Sequence, residues 1–216
     1  MAKKKDDGSM GLLLVVVAFL IFLPFLAFSF HRYRKLKKTF NAIPNIQRVF
    51  DVGMLYSTIG NAIGSVMVVA FLFIGLSLVS QKNASPDFAH EMSLFLLFSF
   101  PVIMFWPLKK MAERVAVEYF GIIFNDNDNT LLLPADIDNM SFGEKLRLRF
   151  LSTLGEQDRI EIGKITNITR EKGISFYIHG DFGSRKIAFT NKQKRDECIS
   201  ALQARTRVRG GRDYGY

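Results

Sequence analysis

GLLLVVVAFLIFLPFLAFSF, Gly11 to Phe30, is followed at once by HRYRKLKK, His31 to Lys38. The first stretch holds twenty residues without a charge, interrupted only by Pro24 and Ser29. A helix of that length reaches about 30 Å, at about 1.5 Å per residue, which is the thickness of a hydrocarbon core. Arg32, Arg34, Lys35, Lys37 and Lys38 then crowd the exit of the run. That load does not cross a bilayer cheaply, and it marks its own side as cytoplasmic. The reading is a membrane helix over 11–30 with Pro24 tolerated inside it.

Working outward, MAKKKDDGSM (1–10) is short and charged and is expected to be disordered. A cleaved signal peptide is the rival reading of the first thirty residues. Against it, the run is longer than a usual signal core, no small-x-small cleavage site follows, and a basic stop does. Downstream, a second apolar run lies within 55–79, and a third, shorter one with Pro101 inside spans 92–108 and is closed by Lys109 and Lys110. The third is short for a span, and a re-entrant or interfacial segment is its alternative. The 31–53 connection has six Lys and Arg, whereas 80–91 has Lys82 alone. Three spans in a bacterial inner membrane, N-terminus outside and C-terminal domain cytoplasmic, follow from that asymmetry. If the third run does not cross, the C-terminal portion changes sides.

The chain has 216 residues, a net charge of +9 and 49% apolar residues. Charge gathers late: 109–216 holds 19 of the 29 Lys and Arg and 15 of the 20 Asp and Glu, so the second half reads as a water-soluble domain. Its period changes too. Tyr119–Phe124 and Thr130–Leu133 flank the polar turn Asn125–Asn129, and Lys145–Phe150 alternates as a half-buried strand should. Ile160, Ile162, Ile165 and Ile168 mark extended chain with a break near Gly163. Ile174–His179 and Lys186–Phe189 form a hairpin through Gly180–Gly183. A helix closes the domain, with Thr190 and Gln193 as a capping box and Cys198, Ala201 and Leu202 on one face. The tail, 205–216, is rich in Arg and Gly and is expected to be flexible.

Strands closed by one amphipathic helix give 112–204 the order of a pleckstrin-homology-like (PH-like) domain. Ile165-Thr166, the glycine hairpin, Ile187-Ala188-Phe189 and Ile199-Ser200-Ala201-Leu202 carry the likeness. The segment resembles the PH-like domains that follow transmembrane helices in small bacterial membrane proteins. The fold class expected is an α-helical membrane segment of about three helices followed by an α+β PH-like domain. The resemblance implies binding of lipids, peptides or proteins without choosing among them.

Candidate sites are few. Lys145, Arg147 and Arg149 lie on one side of their expected strand and resemble the basic stripe with which PH domains take anionic head-groups. A solvated strand face is the plainer reading. Gly60 and Gly64 form a small-xxx-small pair for close helix packing, either within this chain or with a second copy. The 126–137 stretch fails as a calcium loop, with Leu131 where Gly belongs and Ile137 where Glu belongs.

Catalytic motifs such as G-x-S-x-G, the P-loop and H-E-x-x-H are missing from the sequence. No cofactor and no metal is expected: the three histidines lie far apart, and the lone Cys198 is on an apolar helix face. The expected spans carry no Asp, Glu, Lys, Arg or His, which argues against transport. The expected function is a non-enzymatic membrane protein that presents a docking or scaffold domain within a larger assembly. Its expected partners are lipids and other membrane proteins, not specific nucleic acid. An anionic-lipid sensor using the basic strand is the alternative.

Overall fold

The computed structural model describes residues 7–83, 85–137, 140–171, 173–206 and 208. Side chains are described from Phe19 onward, apart from Leu20, several positions between 77 and 97, and Lys145 and Leu146. The expectations of a disordered 1–10 and a flexible 205–216 fall largely outside these residues.

Three long helices come first. α1 (Asp7–Asn41) runs uninterrupted through Pro24. It stops where Pro44 forbids the helical conformation to the residue before it, its last turn tightening through Ala42 and Ile43 amides onto the Thr39 and Phe40 carbonyls. α2 (Val52–Asn83) and α3 (Pro86–Phe120) form a hairpin. Helix α3 lies in the middle. Phe28 packs edge-on against Phe105 and Tyr33 stacks on Phe120, so α1 runs parallel to α3. Val66 packs with Met104 and Leu108, with α2 running the opposite way.

Among the described residues, two stretches are long and apolar enough to cross a membrane, Val52–Leu76 and Leu94–Phe120. They present large apolar side chains outward, including Phe71, Leu72, Phe95, Phe98 and Val102, far beyond the scattered apolar surface of a water-soluble monomer. The helix α1 covers the first expected span as well, but most side chains of 11–20 lie outside the described ones.

The sheets correct the expected domain boundary. β1 (Ile46–Val49) comes from the basic connection between α1 and α2 and pairs antiparallel with β2 (Ile122–Asn125), Val49 opposite Ile122 and Ile46 opposite Asn125. Residues 112–120, expected within the domain, are the end of α3. β3 (Thr130–Pro134) and β4 (Gln157–Glu161) complete an antiparallel sheet ordered β1-β2-β3-β4. A second antiparallel sheet has the order β5-β6-β7, from β5 (Ile165–Arg170), β6 (Ser175–Gly180) and β7 (Gly183–Ala188). Gly180 pairs with Gly183 across the two-residue turn Asp181-Phe182.

Both faces of the first sheet are covered, which is why all four residues of β2 are buried. Phe124, Leu131 and Leu133 meet Ile168, Phe176 and Ile178 of the second sheet, with Cys198, Ile199 and Leu202 of the last helix. On the other side, Ile123 packs against Leu36, Phe40, Val117 and Phe120 of α1 and α3.

The stretch 145–150 is not a strand. α4 (Phe142–Leu146) and α5 (Arg149–Thr153) replace it, separated by Leu148 at φ 54. The physical reason is Ser141-Phe142-Gly143-Glu144. The Ser141 hydroxyl accepts the Glu144 amide, and the Glu144 carboxylate accepts the Ser141 amide and hydroxyl. A reciprocal cap of this kind starts a helix, and it overrides the alternation that follows. The last helix, α6 (Lys192–Arg205), is also capped differently from expectation: Asn191, not Thr190, accepts the Lys194 amide at 2.8 Å.

Candidate functional site

Thr190 is occupied elsewhere. Asp51 precedes the first residue of α2, and its Oδ1 accepts the Gly53 amide at 2.9 Å, as an N-capping carboxylate does. The same side chain reaches 139 residues along the chain. Its Oδ2 accepts the Thr190 amide and its Oδ1 the Thr190 hydroxyl, each at 2.6 Å. Burial pushes the Asp51 carboxyl upward. The Thr190 hydroxyl and the amides of Thr190, Gly53 and Met54 outweigh it and hold the group below the usual carboxylate range. A Cβ at position 53 would fall on the Thr190 side chain, so only glycine lets the start of α2 come this close.

Beside this clamp lies a cavity of about 170 Å³, lined among others by Asp51, Arg114, Glu118, Asp136 and Arg185. Arg114 of α3 is ion-paired with Glu118 at 2.6 Å and donates to the Ala135 carbonyl at 2.7 Å. Arg185 of β7 pairs with Asp136, and with Asp158 at 3.2 Å, while donating to the Pro134 carbonyl at 2.5 Å. Burial, and then the Arg114 charge, lower Arg185 to about 10. Burial raises Asp158 against the pull of Arg114. Arg114 and the two terminal nitrogens of Arg185 are thus held by fixed carboxylates and carbonyls. The arrangement ties α3, the chain after β3 and the last strand into one joint.

The outer face of the second sheet is different in kind. His179 is held between two hydroxyls, Nε2 to Thr169 Oγ1 and Nδ1 to Ser184 Oγ, both at 2.8 Å. Tyr177 stacks beside the ring, and Lys186 lies over Tyr177 while pairing with Glu171 at 3.0 Å. This is a polar and aromatic patch turned to solvent.

The residues singled out by sequence are placed as follows. Arg147 and Arg149 are exposed, Arg149 pairs with Glu144 at 3.1 Å, and Lys145 contributes backbone to α4, its side chain lying outside the described ones. They do not form the flat stripe of a strand. A Cβ at Gly60 or Gly64 meets nothing within 4 Å, so this pair is not used for packing inside the chain. Arg32 donates to the Gly155 carbonyl at 2.8 Å, Arg34 lies over Phe30 and Lys37 over Tyr33, while Lys35 and Lys38 are exposed. The Asn125–Asn129 turn is held by its own side chains and by Arg205 and Arg159, which take Asp126 and Asp128. Cys198 is fully buried, which pushes its thiol far up. Among the described residues no group of three or more His, Cys, Asp or Glu is placed to hold a metal ion.

Sequence reading missed Asp51, Arg114 and Arg185, and it gave Thr190 a capping role in place of its bond to Asp51. Asp51 carried a usable sign, an acid directly before an apolar helical run. The two arginines carried none, because α3, the end of β3 and β7 meet only in the fold. No family model, curated protein or solved structure matches the chain.

Proposed function

We propose that the chain is a non-enzymatic, three-span protein of a bacterial inner membrane whose PH-like domain is a docking platform for other proteins of a membrane assembly. The observation that carries this reading is the pairing of β1 with β2. A strand from the first connection and a strand after α3 share one sheet, so both ends of the α2–α3 hairpin lie on one side of any membrane it crosses. This supports two crossings between them, the third run being the second of the two. With the basic connection cytoplasmic, the domain is cytoplasmic as well. Four strands, three strands and a closing helix support the PH-like architecture, and the Asp51–Thr190 clamp supports a domain held in fixed orientation to the hairpin. The docking face on this reading is the Tyr177–His179–Lys186 patch.

The test is purification in mild detergent of the full chain and of a Tyr177→Ala, Lys186→Glu variant. Stoichiometric protein partners that leave with the variant are the expected result. Retention of the same partners by the variant would move the docking face elsewhere, and absence of any partner would remove the platform reading. Reporter fusions at Ser85 and after Tyr216 check orientation: periplasmic at the first, cytoplasmic at the second.

A further inference from the structure

Phe142 is 81% exposed, more than Phe98 at 71% or Val102 at 76% on the apolar belt of α3. Six residues on, Leu148 is 55% exposed and sits at φ 54, a left-handed conformation that side chains with a Cβ rarely adopt. An apolar side chain turned outward from such a backbone is disfavoured on two counts in water. Folding does not explain it, since Leu151 and Leu154 already supply the buried side of this segment.

The place of the segment supplies the explanation. Gly155 lies against Glu113 of α3, its carbonyl accepts from Arg32 of α1, and Glu156 pairs with Lys110 at 3.4 Å. Leu108 is the last apolar residue before Lys109 and Lys110, and Glu113 is five residues further. That is about 7.5 Å along the helix, the outer limit of a headgroup layer about 5–7.5 Å thick, with Lys110 within the layer. The sequence of 141–150 holds three cations, Lys145, Arg147 and Arg149, and one acid, Glu144. The Arg149–Glu144 pair is exposed on both sides, so Arg149 exchanges it for another anion at little cost.

We infer that α4 and α5 form an interfacial anchor: Phe142 and Leu148 enter the boundary between headgroups and acyl chains of the membrane that α2 and α3 cross, and Arg147 and Arg149 meet anionic headgroups. The inference rests on the membrane reading above. It differs from a lipid-reading strand, because the contact is made by two apolar side chains at fixed depth, with the cations beside them.

The experiment uses the full chain with Cys198→Ala, which removes the only cysteine, in lipid nanodiscs. Single cysteines at Phe142→Cys or Leu148→Cys carry an environment-sensitive dye. Val102→Cys is the bilayer reference. Asn127→Cys is the water reference, since Asn127 bonds the Pro44 carbonyl beyond the end of α1. Quenching is by nitroxide on the lipid acyl chain near the headgroup. The expected result is blue-shifted, quenched emission at 142 and 148, as at 102 and unlike 127. The shift should be larger with anionic lipid, and the difference should vanish in Arg147→Gln, Arg149→Gln. Positions 142 and 148 behaving like 127 while 102 is quenched overturns the anchor, and cross-linking of 142 to a co-purified protein instead assigns the surface to that partner. If 102 is also unquenched, it is the membrane reading that fails. Equal shifts in neutral and anionic lipid overturn the role of the two arginines.

Discussion

Asp51 and Thr190 bind each other through three groups: one carboxylate accepts both the amide and the hydroxyl of a single residue 139 positions away. Asp51 also starts a long apolar helix, and Thr190 lies in the short connection between the last strand and the closing helix. The bond therefore ties the start of the hairpin to the chain between the last strand and the closing helix. Asp51→Ala leaves the Thr190 and Gly53 amides without their acceptor and is expected to cost about 2 to 4 kcal/mol. Thr190→Val keeps the amide bond and should cost about 1 kcal/mol. Denaturation in detergent of the two single variants and the double variant checks this: the double should cost clearly less than the sum.

The same carboxylate gives a dependence on acid. Asp51 is held below its ordinary range in the fold. Its contribution is thus fully present above the unfolded value, about 3.9, and disappears as pH falls through the lower folded value. Melting curves between pH 7 and pH 3 should fall less steeply for Asp51→Asn than for the parent, the two converging at the acid end. Parallel curves would show that Asp51 does not titrate in this way.

Glycines in α2 should respond oppositely to alanine. At Gly53 the added methyl strikes the Thr190 side chain, and overpacking of about 1–3 kcal/mol should outweigh the gain in helix propensity. At Gly64 the methyl meets nothing, so the monomer should gain about 0.5–1 kcal/mol. Melting temperatures in detergent separate the two. Sedimentation of the Gly60→Ala, Gly64→Ala pair tests self-association, because two methyls would weaken close helix pairing with a second copy.

Because Val49 lies opposite Ile122, the sheet can be closed without the hairpin. Replacing 50–121 by Asn-Gly, a two-residue turn suited to antiparallel strands, should give a soluble chain over 46–206, provided Ile123 and Leu132, which the helices cover, become Thr. It should unfold cooperatively by circular dichroism. The fragment 112–206 lacks β1 and exposes the free edge of β2, so it should aggregate or melt without a clear transition. Equal behaviour of the two would mean that β1 adds little to the sheet.

Much of this architecture was legible, and the losses have physical causes. The apolar runs, the Gly180–Gly183 hairpin and the apolar face of Cys198, Ala201 and Leu202 are local patterns, readable wherever they occur. β1 is four residues, Ile-Gln-Arg-Val, within a basic connection, and its partner lies beyond two helices, so no local pattern announces it. The stretch 145–150 alternated convincingly, yet the Ser141–Glu144 cap just upstream carried the stronger instruction. The joint of Arg114 and Arg185 was invisible for a further reason: each pairs with acids or carbonyls that look unremarkable in their own segments.

The seating of β1 beside β2 also sets an order on biosynthesis. β1 leaves the ribosome before the hairpin and β2 after it, so β1 has no partner in the sheet until both helices have been made. If the hairpin crosses a membrane as proposed, a chain in which α3 failed to cross would leave β2 in the compartment opposite β1, and the domain could not close. On the membrane reading proposed above, closure of the sheet thereby depends on both helices having crossed.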